Sequence, residues 1–169
     1  LGMSESQREI WGSAQFGSDA SGAFNESVTL SFEGSIHGEA FAEAVSDLKH
    51  RHHILTARFD ASGEKIIFSS NFDLPYEQID FSHLESATRQ EAFRQLCRKS
   101  VETAFDFVSG PLGYIQLVKF QEREYRCIIV LHHIVMDGWS MSVLVRELGD
   151  LYTARLNKVA HTLSAPPQF

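Results

Sequence analysis

Residues 132–140 read His132-His133-Ile134-Val135-Met136-Asp137-Gly138-Trp139-Ser140, which places two imidazoles, a carboxylate and a glycine in one short segment. An imidazole, with an ordinary pKa of about 6.5, can take up a proton near neutral pH. Acyl transfer to an amine or an alcohol needs such a group, because attack on the carbonyl leaves a proton on the nucleophile. No G-x-S-x-G elbow occurs in the chain, and Ser140 does not sit in such a setting. Direct transfer without an acyl-enzyme is therefore the simpler expectation. Asp137 would either orient a histidine or pair with an arginine and hold the loop. Gly138 lets backbone approach a substrate closely, and its N–H lies near a helix start, where partial positive charge favours a developing oxyanion.

These residues must be mounted on something rigid. Ile128, Ile129, Val130 and Leu131 leave the segment 127–132 with no polar face, which predicts a strand buried on both sides. Neighbouring residues of a strand point to opposite faces. His132 and His133 thus divide the work, one supporting the loop and the other projecting into a site. A zinc site would need both histidines and Asp137 to converge, which adjacent residues at a strand end do not offer, so no metal is expected. The plainer alternative is a pair of satisfied structural histidines. Against it stands their place after a buried strand and before a turn and a helix, where chemistry is commonly mounted.

The rest of the chain supplies the frame. Residues 4–16 predict a helix with Ser4 as N-cap and Gln7 at the capping-box position. Val28, Leu30 and Phe32 alternate along 26–33, a strand with one buried side. Phe41, Ala44, Val45 and Leu48 fall at helical spacing. Residues 54–60 and 65–70 read as a hairpin about the 61–64 turn, and 76–80 as a short extended piece. A helix over 87–105 is expected to bury Phe93, Leu96, Cys97, Val101 and Ala104. Residues 112–120 and 124–132 form a second hairpin. The last helix, 140–157, is expected to bury Met141, Leu144, Val145, Leu148 and Leu151 and to show Arg146, Glu147 and Asp150 to water. The tail from Ser164 to Phe169 reads as a linker. The fold class is α/β (α+β): a mixed, largely antiparallel sheet with packed helices, because two hairpins exclude a purely parallel sheet.

The 169 residues suit one ordinary domain or a large piece of a bigger one. A formal charge of −7 without a basic cluster excludes a nucleic-acid partner on electrostatic grounds. Cys97 and Cys127 lie in apolar surroundings and read as two buried free thiols. With no signal-peptide pattern and no apolar run of membrane-spanning length, a cytoplasmic setting without membrane partners is the expectation.

The segment from His132 to Ser140 resembles the HHxxxDG motif of the condensation domains of non-ribosomal peptide synthetases, members of the chloramphenicol-acetyltransferase-like superfamily. Ser4 to Trp11 (SESQREIW) is similar to that family's S-x-A-Q-x-x-x-W motif, and Arg51 to Phe59 (RHHILTARF) to R-H-E-x-L-R-T-x-F. Three motifs in order are a specific match. The resemblance implies a chloramphenicol-acetyltransferase-like N-terminal lobe over 1–160, with 161–169 starting the crossing to a second, absent C-terminal lobe. It also implies that the 169 residues alone do not turn over. The implied reaction is attack of an acceptor aminoacyl thioester's amine on a donor acyl or peptidyl thioester, giving an amide. Both substrates would ride on phosphopantetheine arms of upstream and downstream carrier domains, with no cofactor bound directly. His133 carries over as the catalytic histidine, acting as base or by positioning. His132 carries over as loop support, Asp137 as structural and Gly138 as the close-approach position.

His53 stands where the family has Glu, and Thr56 where it has Arg. Arg58 would lie on the same strand face as Thr56, so Arg58, or else Arg51, is expected to supply the cation for Asp137. His52 and His53 read as a helix C-terminal pair favoured by the dipole. Within the same superfamily, an epimerisation domain or a small-molecule acyltransferase would use similar residues; a lobe that only docks carrier proteins is the non-enzymatic alternative.

Overall fold

The computed structural model describes residues 1–17, 22–69 and 71–166. Residues 167–169 of the expected linker and Ser70 of the expected hairpin lie outside the described residues. The sheet is built around strand β6 (Glu124–His132), which is buried from Cys127 to His132 as its unbroken apolar run requires. Its neighbours are β1 (Asn25–Glu33) and β5 (Gly113–Gln121), both antiparallel to it. Strand β4 (Tyr76–Asp80) pairs in parallel with β5 at the edge, so the order is β1-β6-β5-β4. The mixed, largely antiparallel sheet expected from the two hairpin patterns is present.

Strand alternation assigns the two faces. On one, Phe32 of β1 and Tyr76 of β4 meet Phe41 of helix α2 (Gly38–Arg51), with ring centroids 6.4 and 6.0 Å apart. The helix that follows β6, spanning Gly138–Leu156, packs along α2; its Tyr152 ring lies 5.6 Å from Phe41. On the other face, helix α3 (Ser86–Glu102) sets Phe93 edge-on to Phe120 of β5. The segment after α3 adds Phe105 and Phe107, both buried. The final helix, Gly138–Leu156, is α4. Helix α1 (Glu5–Ala14) closes one end with a complete capping box: Ser4 Oγ accepts from Gln7 N–H, and Gln7 Oε1 accepts from Ser4 N–H.

Several local expectations are corrected. Residues 53–56 form a 3₁₀ turn, and the hairpin shrinks to β2 (Arg58–Phe59) with β3 (Ile66–Ile67). Helix α3 stops at Glu102, leaving Val101 and Ala104 exposed; the buried stripe runs through Ser100 instead, whose hydroxyl donates to Leu96 O at 3.0 Å. Glu147 is buried rather than facing water, because α4 lies flat along α2 and position 147 falls on the contact. Both cysteines are free, but only Cys127 is buried as expected and Cys97 is half-buried; burial raises the Cys97 thiol and pushes Cys127 up to about 12, far from any thiolate chemistry. No described helix is long and apolar enough to cross a membrane.

Candidate functional site

The alternation of β6 continues through its last residues and splits the histidine pair. His132 points into the α3 side of the sheet and is fully buried, its ring edge-on to Phe107 at 4.7 Å and to Phe105 at 6.3 Å. Its Nδ1 accepts from the N–H of Ile134 at 3.1 Å, and its own N–H and C=O bond Leu112 and Val135. A buried imidazole thus organises the turn that follows. His133 lies on the opposite face, with more than a third of its side chain exposed, and lines a cavity of about 740 Å³. Because the two rings diverge, they do not share a ligand. Among the described residues no group of three or more His, Cys, Asp or Glu is placed to hold a metal ion.

His133 is oriented from behind. Its N–H donates to Phe24 O at 2.8 Å, extending the ladder between β6 and β1. Its Nδ1 lies 2.6 Å from the carbonyl oxygen of Met136. A carbonyl only accepts, so Nδ1 carries the proton, and in the neutral ring the lone pair is on Nε2. The Ile134 carbonyl accepts from Gln7 Nε2 at 3.0 Å. Gln7, buried at the base of α1, therefore joins the N-terminal motif to the histidine turn. This tie is missing from the sequence reading, where Gln7 figures only in its own cap; a polar residue on the inward face of an amphipathic helix is the signal.

Asp137 is the N-cap of α4. Its Oδ1 accepts from Ser140 N–H at 2.7 Å, and the hydrogen bonds from Ser140, helped by the nearby His133, hold its carboxyl below the ordinary range against the opposing effect of burial. The expected ion pair with Arg58 is not formed, because that guanidinium is committed to other acceptors. Arg58 is buried elsewhere, donating to the carbonyls of Ser109 at 3.2 Å, Ala57 at 2.7 Å and Asp73 at 3.1 Å and stacking on Phe72. The turn at 53–56 removes the same-face argument that directed Arg58 to Asp137. Gly110 (φ +63°) packs directly on the Arg58 side chain, leaving no room there for a Cβ. Arg58 thus supports the 105–111 connection rather than the histidine loop.

Arg51 also has another carboxylate. Its Nε and Nη2 fork onto Glu147 at 2.7 and 3.1 Å, and Nη2 also donates to Ser164 O. His52 Nε2, at the C-cap of α2, adds a contact to Glu147 Oε2 at 2.6 Å. These residues, with Ser164 to Pro166, line the same cavity as the histidine turn. Burial works to raise the Glu147 carboxyl, but the hydrogen bonds and charges of Arg51 and His52 outweigh it and hold it low.

The capping role of Asp137 makes a prediction. Asn caps helices as well as Asp, so Asp137→Asn is expected to change stability by only a few tenths of a kcal/mol, roughly, and Asp137→Ala to cost about 1 kcal/mol. Urea unfolding of both variants checks this. Equal losses in the two would show that the charge, not the cap, is what matters.

A family model described as "Condensation domain" matches residues 1–169. The chain is 33% identical over 159 residues to malpinin synthetase of Mortierella alpina, covering 91% of this chain and 2% of that protein. It is 30% identical over 169 residues to chondramide synthase cmdD of Chondromyces crocatus, covering 99% of this chain and 4% of the other. Among solved structures, the starter condensation domain of rhizomide synthetase RzmA superposes with a TM-score of 0.88 at 21% identity, over 98% of this chain and 40% of that one. VibH, an NRPS condensation enzyme, superposes with a TM-score of 0.82 at 19% identity, over 96% and 37%. The chain thus spans a few per cent of the curated relatives and about two fifths of the matched structures. The expected chloramphenicol-acetyltransferase-like fold is present.

Proposed function

The chain belongs to the condensation-domain family, and from that premise we propose that its parent protein joins a donor acyl or peptidyl thioester to an acceptor aminoacyl thioester, both delivered by carrier proteins. Residues 1–160 serve as the N-terminal lobe, and 161–169 begin the crossing to a C-terminal lobe that closes the site. The partners are the upstream and downstream carrier domains, which present their substrates on phosphopantetheine arms in the cytoplasm.

The observation that carries this reading is the fixed tautomer of His133. With Nδ1–H bound to Met136 O, the basic Nε2 is directed away from its own loop on a ring that lines the cavity. In the reaction the amine nitrogen attacks the thioester carbonyl carbon, and the C=O electron pair moves onto oxygen. As the tetrahedral species collapses, the C–S bond breaks and sulfur leaves with its electrons. The proton lost by nitrogen passes to His133 Nε2 and then to the leaving thiolate, so the products are an amide and a thiol. His133 accepts the hydrogen bond of the amine in either reading of its role, as base or as positioning group.

Gly138 opens α4 directly after the histidine turn. A Cβ at Gly138 would meet nothing within 4 Å. The lobe's own packing therefore does not demand glycine there, which supports a role in close approach of substrate at the helix N-terminus. His132, Asp137 and Arg58 hold backbone rather than substrate. The test is amide formation by the full-length parent from two carrier-bound thioesters, followed by mass spectrometry of the acceptor carrier. Accumulation of the condensed product on the acceptor carrier is expected. Transfer to a free alcohol or amine instead, or inversion of the donor's α-carbon without amide formation, would overturn the reading.

A further inference from the structure

Strand register places one more charged group behind His133. Glu26 of β1 pairs with Leu131 of β6, so Glu26 and His133 are diagonal neighbours on one sheet face. Glu26 Oε1 lies 3.5 Å from His133 Nδ1, the nitrogen that already faces the Met136 carbonyl. The two side chains are 38% and 37% exposed. The Met136 carbonyl accepts the Nδ1 hydrogen bond, and the Glu26 carboxylate lies 3.5 Å from the same nitrogen, so both sit on the side of the ring opposite Nε2. Neither the N-terminal motif, the second motif nor the histidine motif includes position 26.

On the functional reading above, we propose that Glu26 is a positioning residue for His133, set by strand register to stabilise the ring when Nε2 holds the proton. The carbonyl of Met136 fixes which nitrogen carries the resting proton. Glu26 adds a full negative charge on the side of the ring away from substrate, and its effect grows as positive charge develops on the imidazole. The contribution belongs to the transition state more than to substrate binding. It therefore acts on kcat and leaves KM largely alone.

The charge series Glu26→Gln and Glu26→Lys tests this in the full-length parent protein, with amide formation from two carrier-bound thioesters as the assay and thermal unfolding as the fold control. Glu26→Gln is expected to lower kcat roughly two- to fivefold, the scale of one partly solvated charge contact. Glu26→Lys is expected to lower it further, with KM for the acceptor thioester and Tm unchanged in both. In a His133→Ala background, Glu26→Gln is expected to have no further effect, since the two act as one unit. A wild-type kcat in Glu26→Gln, a loss confined to KM, or an equal loss with and without His133 would overturn the role of Glu26. Failure of the functional reading looks different: His133→Ala alone would then retain amide formation.

Discussion

Replacing His133 by alanine in the full-length parent protein is expected to reduce amide formation by on the order of 10²–10⁴-fold, the range that a positioned general base or acceptor supplies. The fold should survive this change. The backbone N–H of His133 keeps its bond to Phe24 O, the ring is partly exposed, and among the described residues no aromatic ring packs against it, whereas the His132 ring is wedged against Phe105 and Phe107. The measurement is the rate of product formation on the acceptor carrier, with thermal unfolding in parallel. A wild-type Tm with a strongly reduced rate is the expected pair of results. A near wild-type rate would leave the lobe as a carrier-docking module, and the geometry of the Nε2 lone pair would have no chemical consequence.

The second large effect concerns stability. Glu147→Ala is expected to destabilise the lobe by about 3–5 kcal/mol, the cost of stripping the partner from a buried charge. Arg51 and Glu147 have side chains only 9% and 8% exposed, and they meet through a two-pronged contact, so removal of the carboxylate takes the forked counter-charge from a nearly buried guanidinium. Because Arg51 also holds the backbone at Ser164, the loss extends to the segment that walls the cavity. The urea midpoint of the variant against wild type, at constant m, reports the effect.

The pH dependence of that difference has a definite sign. The folded Glu147 carboxyl lies below its ordinary value of 4.5, since the Arg51 and His52 contacts outweigh burial. A depressed carboxylate contributes stability that is fully present above the unfolded pKa and is lost as pH falls through the folded one. The contribution of the Glu147 carboxyl to that gap should accordingly shrink as pH falls below 4.5. A gap that widened on acidification would show that Glu147 is held in its protonated form.

Much of the frame was legible in the chain itself because its signals are local. The capping box joins Ser4 to Gln7, the alternation of Val28, Leu30 and Phe32 defines the one-sided β1, and the unbroken run before His132 demands a strand buried on both faces. Strand alternation alone also separates His132 from His133, and the structure places them on opposite faces as that rule requires. Each of these depends on residues within a few positions of one another, where backbone geometry dictates the outcome.

Which charges meet across the chain depends instead on how whole elements pack. Arg58 and Asp137 looked like partners, yet a 3₁₀ turn at 53–56 diverts Arg58 to the carbonyls of Ser109 and Asp73, and Asp137 turns back to cap its own helix. Glu147 read as a solvated residue until α4 lay along α2 and brought Arg51 and His52 to it. Gln7 reaching Ile134 and Glu26 reaching His133 likewise join elements far apart in sequence. Periodicity marks which face of a helix or strand is buried, but not what it is buried against. An ion pair is chosen by the packing of whole elements, and the sheet order β1-β6-β5-β4 that sets Glu26 behind His133 is a property of the assembled layers.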